Sequence, residues 1–219
     1  MMLTKLEEKG LQGTSKRKAE KYWPELNQPS LVFPRSDIRV EQLPHKRSEQ
    51  GGYVYRKFLL TRGSKSGTIV HQLQATAWPD HSVPESPRLV LELVSEAAML
   101  SPGLTAPILV HCSAGVGRSG TLIAIDSLSQ AMEEEGSVSI FQTVSDLRIQ
   151  RNYLVQSVKQ YQFVYRAIME WSQFGDTEMD CAQIKDHWLS LAKEKESLKA
   201  EFSRLANVVD DRKVILIIS

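Results

Sequence analysis

Only two cysteines, Cys112 and Cys181, occur in the 219 residues. That is too few for a disulfide framework, so stability must come from a packed core, and a reducing compartment is expected. No apolar run approaches the ~20 residues that a membrane-spanning helix needs. The opening stretch MMLTKLEEKGLQGTSKRKAEKYWP is charged and lacks the apolar centre of a secretory signal. Neither charge is in excess: 27 Lys and Arg stand against 26 Asp and Glu. That balance gives no electrostatic footprint for nucleic acid. There is no internal repeat. What remains is 42% hydrophobic and 24% charged, close to a soluble globular average, which excludes disorder for the bulk of the chain. The length is that of one ordinary domain with room for an appendage.

Residues 1–50 read as irregular, apart from Tyr22-Trp23-Pro24 and Leu31-Val32-Phe33. They are either peripheral strands and connections, or a stretch whose packing partners lie elsewhere. Tyr53–Leu60 and Thr68–Ala77 read as strands joined by the turn Arg62–Gly67. In that hairpin Ile69, His71, Leu73, Ala75 and Ala77 share one face. Trp78-Pro79-Asp80 ends it, and Pro79 and Pro84 keep the next loop irregular. Ser86–Leu100 reads as a helix, with Ser86 as its cap and Pro87 in its first turn. Pro107–Val110 is a short run expected as a buried strand, and helices are expected over Arg118–Met132, Val138–Arg151 and Val155–Trp171. Hairpin, helix, buried strand, loop and helices make an α/β pattern. After Trp171 the character changes. Asp180–Leu205 reads as a charged helix, and the run Val214–Ile218 as a strand that stops at Ser219. An exposed apolar strand at a terminus invites aggregation, so this run is expected to be the start of something cut short.

The stretch Ile108-Leu109-Val110-His111-Cys112-Ser113-Ala114-Gly115-Val116-Gly117-Arg118-Ser119-Gly120 carries the chemistry. It passes from a strand through small residues into a helix, which is the geometry of an anion cradle. The loop amides turn inward and the helix N-terminus adds partial positive charge. Gly115 and Gly117 allow close backbone approach. Cys112 stands at the strand end, facing the cradle. Lowering a thiol pKa by ~3 units needs ~4 kcal/mol of differential stabilisation, within reach of several oriented dipoles and a cation. Arg118 follows six residues later, and its planar fork matches two oxygens of a phosphate. A lone cysteine is more often a buried bystander. The whole arrangement reverses that preference in favour of an activated nucleophile in an oxyanion site.

HCSAGVGRSG resembles the His-Cys-x5-Arg-Ser/Thr-Gly signature of the cysteine-dependent protein tyrosine phosphatases. Trp78-Pro79-Asp80 is similar to that family's mobile acid loop, Gln156-Ser157-Val158-Lys159-Gln160-Tyr161-Gln162-Phe163 to its glutamine loop, and Lys21-Tyr22-Trp23-Pro24 to an earlier landmark. All four occur in the family's order. The resemblance covers residues 1–172 as a partial catalytic domain. Residues 173–219 resemble the linker and the start of a second phosphatase domain in receptor-type members. The implied fold is α/β, a central mixed sheet flanked by helices, with its N-terminal part missing. For a receptor-type product, the resemblance implies a single-pass membrane protein with this region on the cytoplasmic side. The chain as given is expected to be cytoplasmic and to make no membrane contact.

What the resemblance implies about roles is specific. Cys112 attacks phosphorus and forms a cysteinyl-phosphate. Ser113, Ala114, Gly115, Val116, Gly117 and Arg118 bind the phosphate, with Asp80 and Gln156 beside it. Asp80 protonates the leaving tyrosyl oxygen and then acts as base on water. Ser119 stabilises the departing thiolate, and as a first-turn serine it suits the helix start as well. His111 tunes the cysteine, and Gln156 and Gln160 position the water. No metal or cofactor is implied, because the cradle supplies the positive field. The implied partners are phosphotyrosine-containing proteins, with no nucleic acid. Arg148 and Arg151 are expected to form structural ion pairs, and Cys181 to be inert. Departures from the pattern are His81-Ser82 where Phe-Gly is usual, Ser157 for Thr, and Asn152 for Pro. The family's Asn-Arg-Tyr substrate-clamping loop is missing; Arg151-Asn152-Tyr153 is only superficially similar. That leaves a second reading open, a non-catalytic phosphotyrosine-binding or regulatory module. A dual-specificity phosphatase fits less well because of Trp78-Pro79-Asp80 and the glutamine loop. A thiol redox protein fits less well still, since no second cysteine lies near Cys112.

Overall fold

The computed structural model describes residues 1–9, 14–25, 27–44, 51–79, 82–101, 106–174 and 189. Its centre is a four-stranded antiparallel sheet in chain order: β3 (Leu31–Phe33), β4 (Ile38–Leu43), β5 (Tyr53–Arg62) and β6 (Thr68–Ala75). β5 and β6 form the expected hairpin, in register from Tyr53 against Ala75 to Leu60 against Thr68. A separate antiparallel pair joins β1 (Glu7–Lys9) to β2 (Ser15–Arg17). Much of residues 1–50 is therefore peripheral strand and connection, the first of the two expectations.

The first residues complete the sheet. Met2 bridges Gln74 of β6 and also His111, both in parallel. The Met2 N–H donates to the Leu73 carbonyl and the Leu3 N–H to that of His111, each at 2.8 Å. The sheet is mixed for this reason, and the residues leading into Cys112 are fastened to it. The expected buried strand over Pro107–Val110 is not formed: only His111 bridges, and Ile108 and Leu109 are 47% and 79% exposed. An apolar run becomes a buried strand only when neighbours cover it, and Met1–Leu3 reaches no further along it than Leu109. β6 also departs from strict alternation. Ile69 is exposed, while Gln72 and Gln74 are as buried as Leu73 and Ala75. Burial of the glutamines is tolerated because each amide is hydrogen-bonded, Gln74 to the Thr4 carbonyl and Gln72 to the Tyr22 hydroxyl.

Four helices follow. α1 (Arg88–Met99) begins two residues after Ser86, whose hydroxyl accepts the Arg88 N–H. α2 (Gly117–Glu135) runs longer than expected, and α3 (Ile140–Gln150) is capped by Ser139. α4 (Val158–Phe174) completes the set. The apolar faces of α1, α2 and α4 meet β6 in one core, with Leu93, Ile125, Leu128, Phe163 and Val164 almost fully buried. Trp78, the last aromatic before the loop that follows β6, packs beside Phe163 there, with ring centroids 6.3 Å apart. A smaller cluster of Met2, Trp23, Val40 and Phe58 holds the other part of the sheet.

Residues 1–169 and 170–219 are two compact units. The helix expected over Asp180–Leu205, except Leu189, and the run Val214–Ile218 lie outside the described residues, as does Cys181. Among the described residues no helix is long and apolar enough to cross a membrane.

One close approach sets the site's geometry. Gly120 of α2 lies against the backbone of Leu154 and Val155, and a Cβ there would stand 2.4 Å from the Val155 nitrogen. Backbone cannot retreat as a side-chain tip can. Gly120→Ala is therefore expected to destabilise the chain by about 1–3 kcal/mol. Urea unfolding measures this, and an unchanged midpoint would contradict the packing described.

Candidate active site

Cys112 lies just after the bridge at His111, and five residues later α2 begins. Between them the chain turns back on itself, with Gly115 at a φ of +70°. That left-handed residue directs successive peptide N–H groups to one side. The Gly115 N–H donates to the Cys112 sulfur at 3.2 Å. Burial pushes the thiol pKa up. The Ser119 hydroxyl and the N–H groups of Ser119, Gly115 and Val116 outweigh it, and the net result lies below the ordinary thiol value. Ser119 itself is buried. The sulfur borders a cleft of about 230 Å³ also lined by Thr4, Glu8, Lys18, Ser113, Ala114, Gly117, Arg118, Gln156, Gln160 and Ser82. Most residues singled out in the sequence thus share one concavity with the thiol.

Arg118 is held by partners that the sequence did not announce. Nη1 donates to Glu8 Oε1 at 2.6 Å and Nη2 to Glu8 Oε2 at 2.9 Å, so the fork grips a carboxylate. The Leu3 and Pro79 carbonyls accept further bonds from the guanidinium at 2.9 and 3.1 Å. Thr4 donates its hydroxyl to Glu8 Oε1, and the Lys18 ammonium stands 3.8 Å from Oε2. Glu8 is buried while its neighbour Glu7 is exposed. Such a pair leaves no freedom for the plane of the guanidinium, which borders the cleft beside the sulfur. Glu8 was missed because LEEK looks like a solvated face, and Thr4 and Lys18 because they lie outside every motif of the sequence. Adjacent glutamates in a strand point to opposite sides, but a strand of three residues is too short to show that alternation in the sequence.

His111 sits in a relay. Arg56 Nη1 donates to the side-chain oxygens of Gln72 and Gln74 at 2.9 and 2.8 Å. The Gln72 amide nitrogen must then donate, and it does so to the Tyr22 hydroxyl at 2.7 Å. That hydroxyl lies 2.8 Å from His111 Nε2, and His111 Nδ1 lies 3.2 Å from the Cys112 carbonyl oxygen. Every group is satisfied when Tyr22 donates to Nε2 and Nδ1–H donates to the carbonyl. The Tyr22-Trp23 landmark acquires a physical purpose here, since Trp23 stacks under Arg56, with 4.6 Å from ring centroid to guanidinium carbon.

The glutamines divide in role. Ser157 Oγ accepts the Gln160 N–H, and Gln160 Oε1 accepts the N–H groups of Ser157 and Gln156, at 3.3, 3.3 and 2.8 Å. This is a capping box that starts α4, so Gln160 has structural work of its own. Gln156 borders the cleft next to Gly117: a Cβ on that glycine would meet its Oε1 at 3.2 Å. The chain before it is strained, with Tyr153 and Val155 at φ values of +69° and +59°. A β-branched residue in that region persists only when its surroundings impose it.

Arg148 and Arg151 correct an expectation. The contacts of these guanidinium groups are to backbone carbonyls, not the anticipated carboxylates. Arg148 donates to the Leu154 and Val155 carbonyls at 2.9 and 2.8 Å, and so holds the strained turn. Arg151 donates to those of Gly115 and Ala114 at 3.0 and 3.2 Å. Each can satisfy two carbonyl oxygens with one rigid fork. Asp80 and His81 lie outside the described residues. Their flanks are anchored: Arg118 holds the Pro79 carbonyl, and the Trp78 indole N–H donates to the Ser82 carbonyl at 3.2 Å.

The protein-tyrosine phosphatase family matches residues 1–170. Receptor-type tyrosine-protein phosphatase C of Homo sapiens is 35% identical over 212 residues, and tyrosine-protein phosphatase 69D of Drosophila melanogaster is 37% identical over 222. Receptor-type tyrosine-protein phosphatase epsilon of Homo sapiens is 36% identical over 217. These alignments cover 94%, 96% and 95% of this chain, but only 16%, 14% and 29% of the respective relatives. With residues 1–170 matched and the cysteine loop, its arginine and the glutamine loop gathered around one cleft, the chain belongs to the protein-tyrosine phosphatase family.

Proposed function

We propose that this chain hydrolyses phosphotyrosine in proteins through a cysteinyl-phosphate intermediate. The observation that carries the reading is a sulfur lining a cleft and facing several converging hydrogen-bond donors. The Cys112 thiolate attacks phosphorus and an S–P bond forms. The P–O bond to the tyrosyl ring breaks, and Asp80 gives its proton to the departing oxygen. Water then attacks phosphorus, Asp80 takes a water proton, and the S–P bond breaks to release phosphate and regenerate the thiolate. Charge in transit spreads over the phosphoryl oxygens, where the loop N–H groups and Arg118 are placed to receive it. Gln156 orients the attacking water, and Ser119 donates to the sulfur as it leaves. Residues 1–172 are read as the catalytic region and 173–219 as the linker toward a further domain. In a receptor-type product, the region would lie on the cytoplasmic side.

Cys112→Ser is expected to abolish release of phosphate from a phosphotyrosine peptide. Asp80→Ala should lower kcat by about 10²–10⁴-fold on that peptide. It should cost far less on nitrophenyl phosphate, whose leaving group departs without a proton. Equal losses on both substrates would remove Asp80 from the acid role, and tight peptide binding without turnover by the unmodified chain would reject hydrolysis.

Glu8→Gln takes the charge from the carboxylate that fixes Arg118. The remaining buried guanidinium loses its counter-charge, at a stability loss of about 3 kcal/mol. The expected kinetic result is a fall in kcat/KM for the peptide with Cys112 still readily alkylated. Unchanged kcat/KM would show that Arg118 needs no such support.

The lowered pKa of Cys112 also links stability to pH. The folded state holds the thiolate better than the unfolded state does, so the gain is complete above the unfolded thiol pKa of ~8.5 and is lost as pH falls through the folded value. Unfolding free energy should rise with pH across that window, and Cys112→Ser should flatten the slope. A slope unaltered by the substitution would count against a stabilised thiolate.

A further inference from the structure

Arg151 ends α3, where its N–H donates to the Leu147 carbonyl at 3.0 Å. Its side chain crosses to the cysteine loop. Nε donates to the Gly115 carbonyl at 3.0 Å and Nη2 to the Ala114 carbonyl at 3.2 Å. Each of those carbonyls shares a peptide unit with an N–H directed at the nucleophile. The Ala114 carbonyl shares its unit with the Gly115 N–H, and the Gly115 carbonyl with the Val116 N–H. In a trans unit the C=O and N–H point in opposite directions, and no described peptide bond is cis. The Gly115 N–H reaches Cys112 Sγ at 3.2 Å, and the Val116 N–H acts on the same sulfur. One guanidinium thus grips the outer ends of two dipoles whose inner ends converge on one sulfur.

We infer that Arg151 is a positioning residue for the nucleophile, clamping two peptide units of the cysteine loop so that their N–H groups converge on Cys112. The inference rests on the reading of Cys112 as the nucleophile and adds what keeps the loop in its reactive form. Left to itself, a short loop with a left-handed glycine could rotate either peptide and turn a carbonyl toward the sulfur. A carbonyl there would repel a thiolate. The guanidinium opposes that rotation geometrically, because its fork binds two oxygens at a fixed spacing. It opposes it electrostatically as well, since a cation at the carbonyl end draws each dipole outward and strengthens the N–H end. The fit is close: a Cβ on Gly115 would stand 3.4 Å from Nη2. A lysine keeps the charge but offers a point rather than a fork.

Arg148 is the internal comparison. It makes the same kind of contact, two guanidinium bonds to two carbonyls, but on Leu154 and Val155, outside the cysteine loop. Among the described residues, the other charged or titratable groups near the sulfur are His111 beside it, Glu8 and Lys18 from β1 and the residue after β2, and Arg118 from α2. All are retained in the variants below, so their contributions are common to every protein compared.

The test is the pH dependence of Cys112 alkylation by iodoacetamide, a neutral reagent, in the full 219-residue chain, read by mass spectrometry of the Cys112 peptide. It needs no phosphatase turnover. Arg151→Met should move the midpoint upward by about one pH unit, the scale of losing hydrogen bonds to the charged form. Arg151→Lys should lie between Arg151→Met and the unmodified chain, and it carries the test if the methionine variant does not fold. Arg148→Met, which reaches the cysteine loop only through the Val155 turn, should lower the thermal midpoint and move the alkylation midpoint much less than Arg151→Met does. An unmoved midpoint in both Arg151 variants, or an equal shift in Arg148→Met, would overturn the inference. A midpoint at the ordinary thiol value in the unmodified chain would instead overturn the nucleophile itself, and this inference with it.

Discussion

The negative charge proposed for the buried Cys112 sulfur is the demanding element of this account, and the Ser119 hydroxyl and neutral backbone N–H groups are what favour it. Desolvation opposes the charge at Cys112, and only a convergence of donors reverses the balance. Such donors act only if they are aimed in advance, since dipoles that must reorient on demand stabilise little. Much of the surrounding structure can be understood as aiming them. The bridge of Met2 to His111 fixes where the loop begins, and α2 fixes where it ends. The left-handed turn at Gly115 makes the convergence sterically accessible.

Around that loop lies a layer whose members are mostly charged but act on neutral groups. Arg148 and Arg151 hold four carbonyls between them. Arg56 orders the glutamines that order Tyr22, which in turn bonds His111. Arg118 is the exception, matched with the carboxylate of Glu8. The difference follows from the proposed task. A guanidinium that only braces can be neutral to its surroundings, whereas one that faces a doubly charged phosphate must keep its plane while anions come and go. The strained turn at Tyr153 and Val155 belongs to the same layer, because the Val155 N–H donates to the Val116 carbonyl and ties the glutamine loop to the cysteine loop.

Legibility in the sequence followed the range of the interactions. The cysteine loop could be read because its chemistry is written in consecutive residues, and the hairpin and helices could be read from local periodicity. Glu8 could not, since its partner is 110 residues away and a strand of three residues between charged neighbours offers almost no pattern. Arg148 and Arg151 were correctly noticed and wrongly partnered, because sequence shows charges and hides carbonyls. Gln160 could have been read more fully, as Ser157-x-x-Gln160 is a capping box in plain view. Pro107–Val110 failed for a different reason: apolar composition records a tendency to be covered and does not say by what, and Leu109 remains exposed. Membership of the protein-tyrosine phosphatase family, expected from four short stretches in order, is borne out over residues 1–170.

The central claim is that Cys112 is a thiolate near neutral pH in the folded chain. Ultraviolet difference titration of the unmodified chain against Cys112→Ser reads that species directly, with Cys181 common to both and cancelling. The account predicts thiolate absorbance that is already present at neutral pH and disappears only on acidification or unfolding. Absorbance that emerges only near pH ~8.5, where an unperturbed thiol ionises, would contradict it.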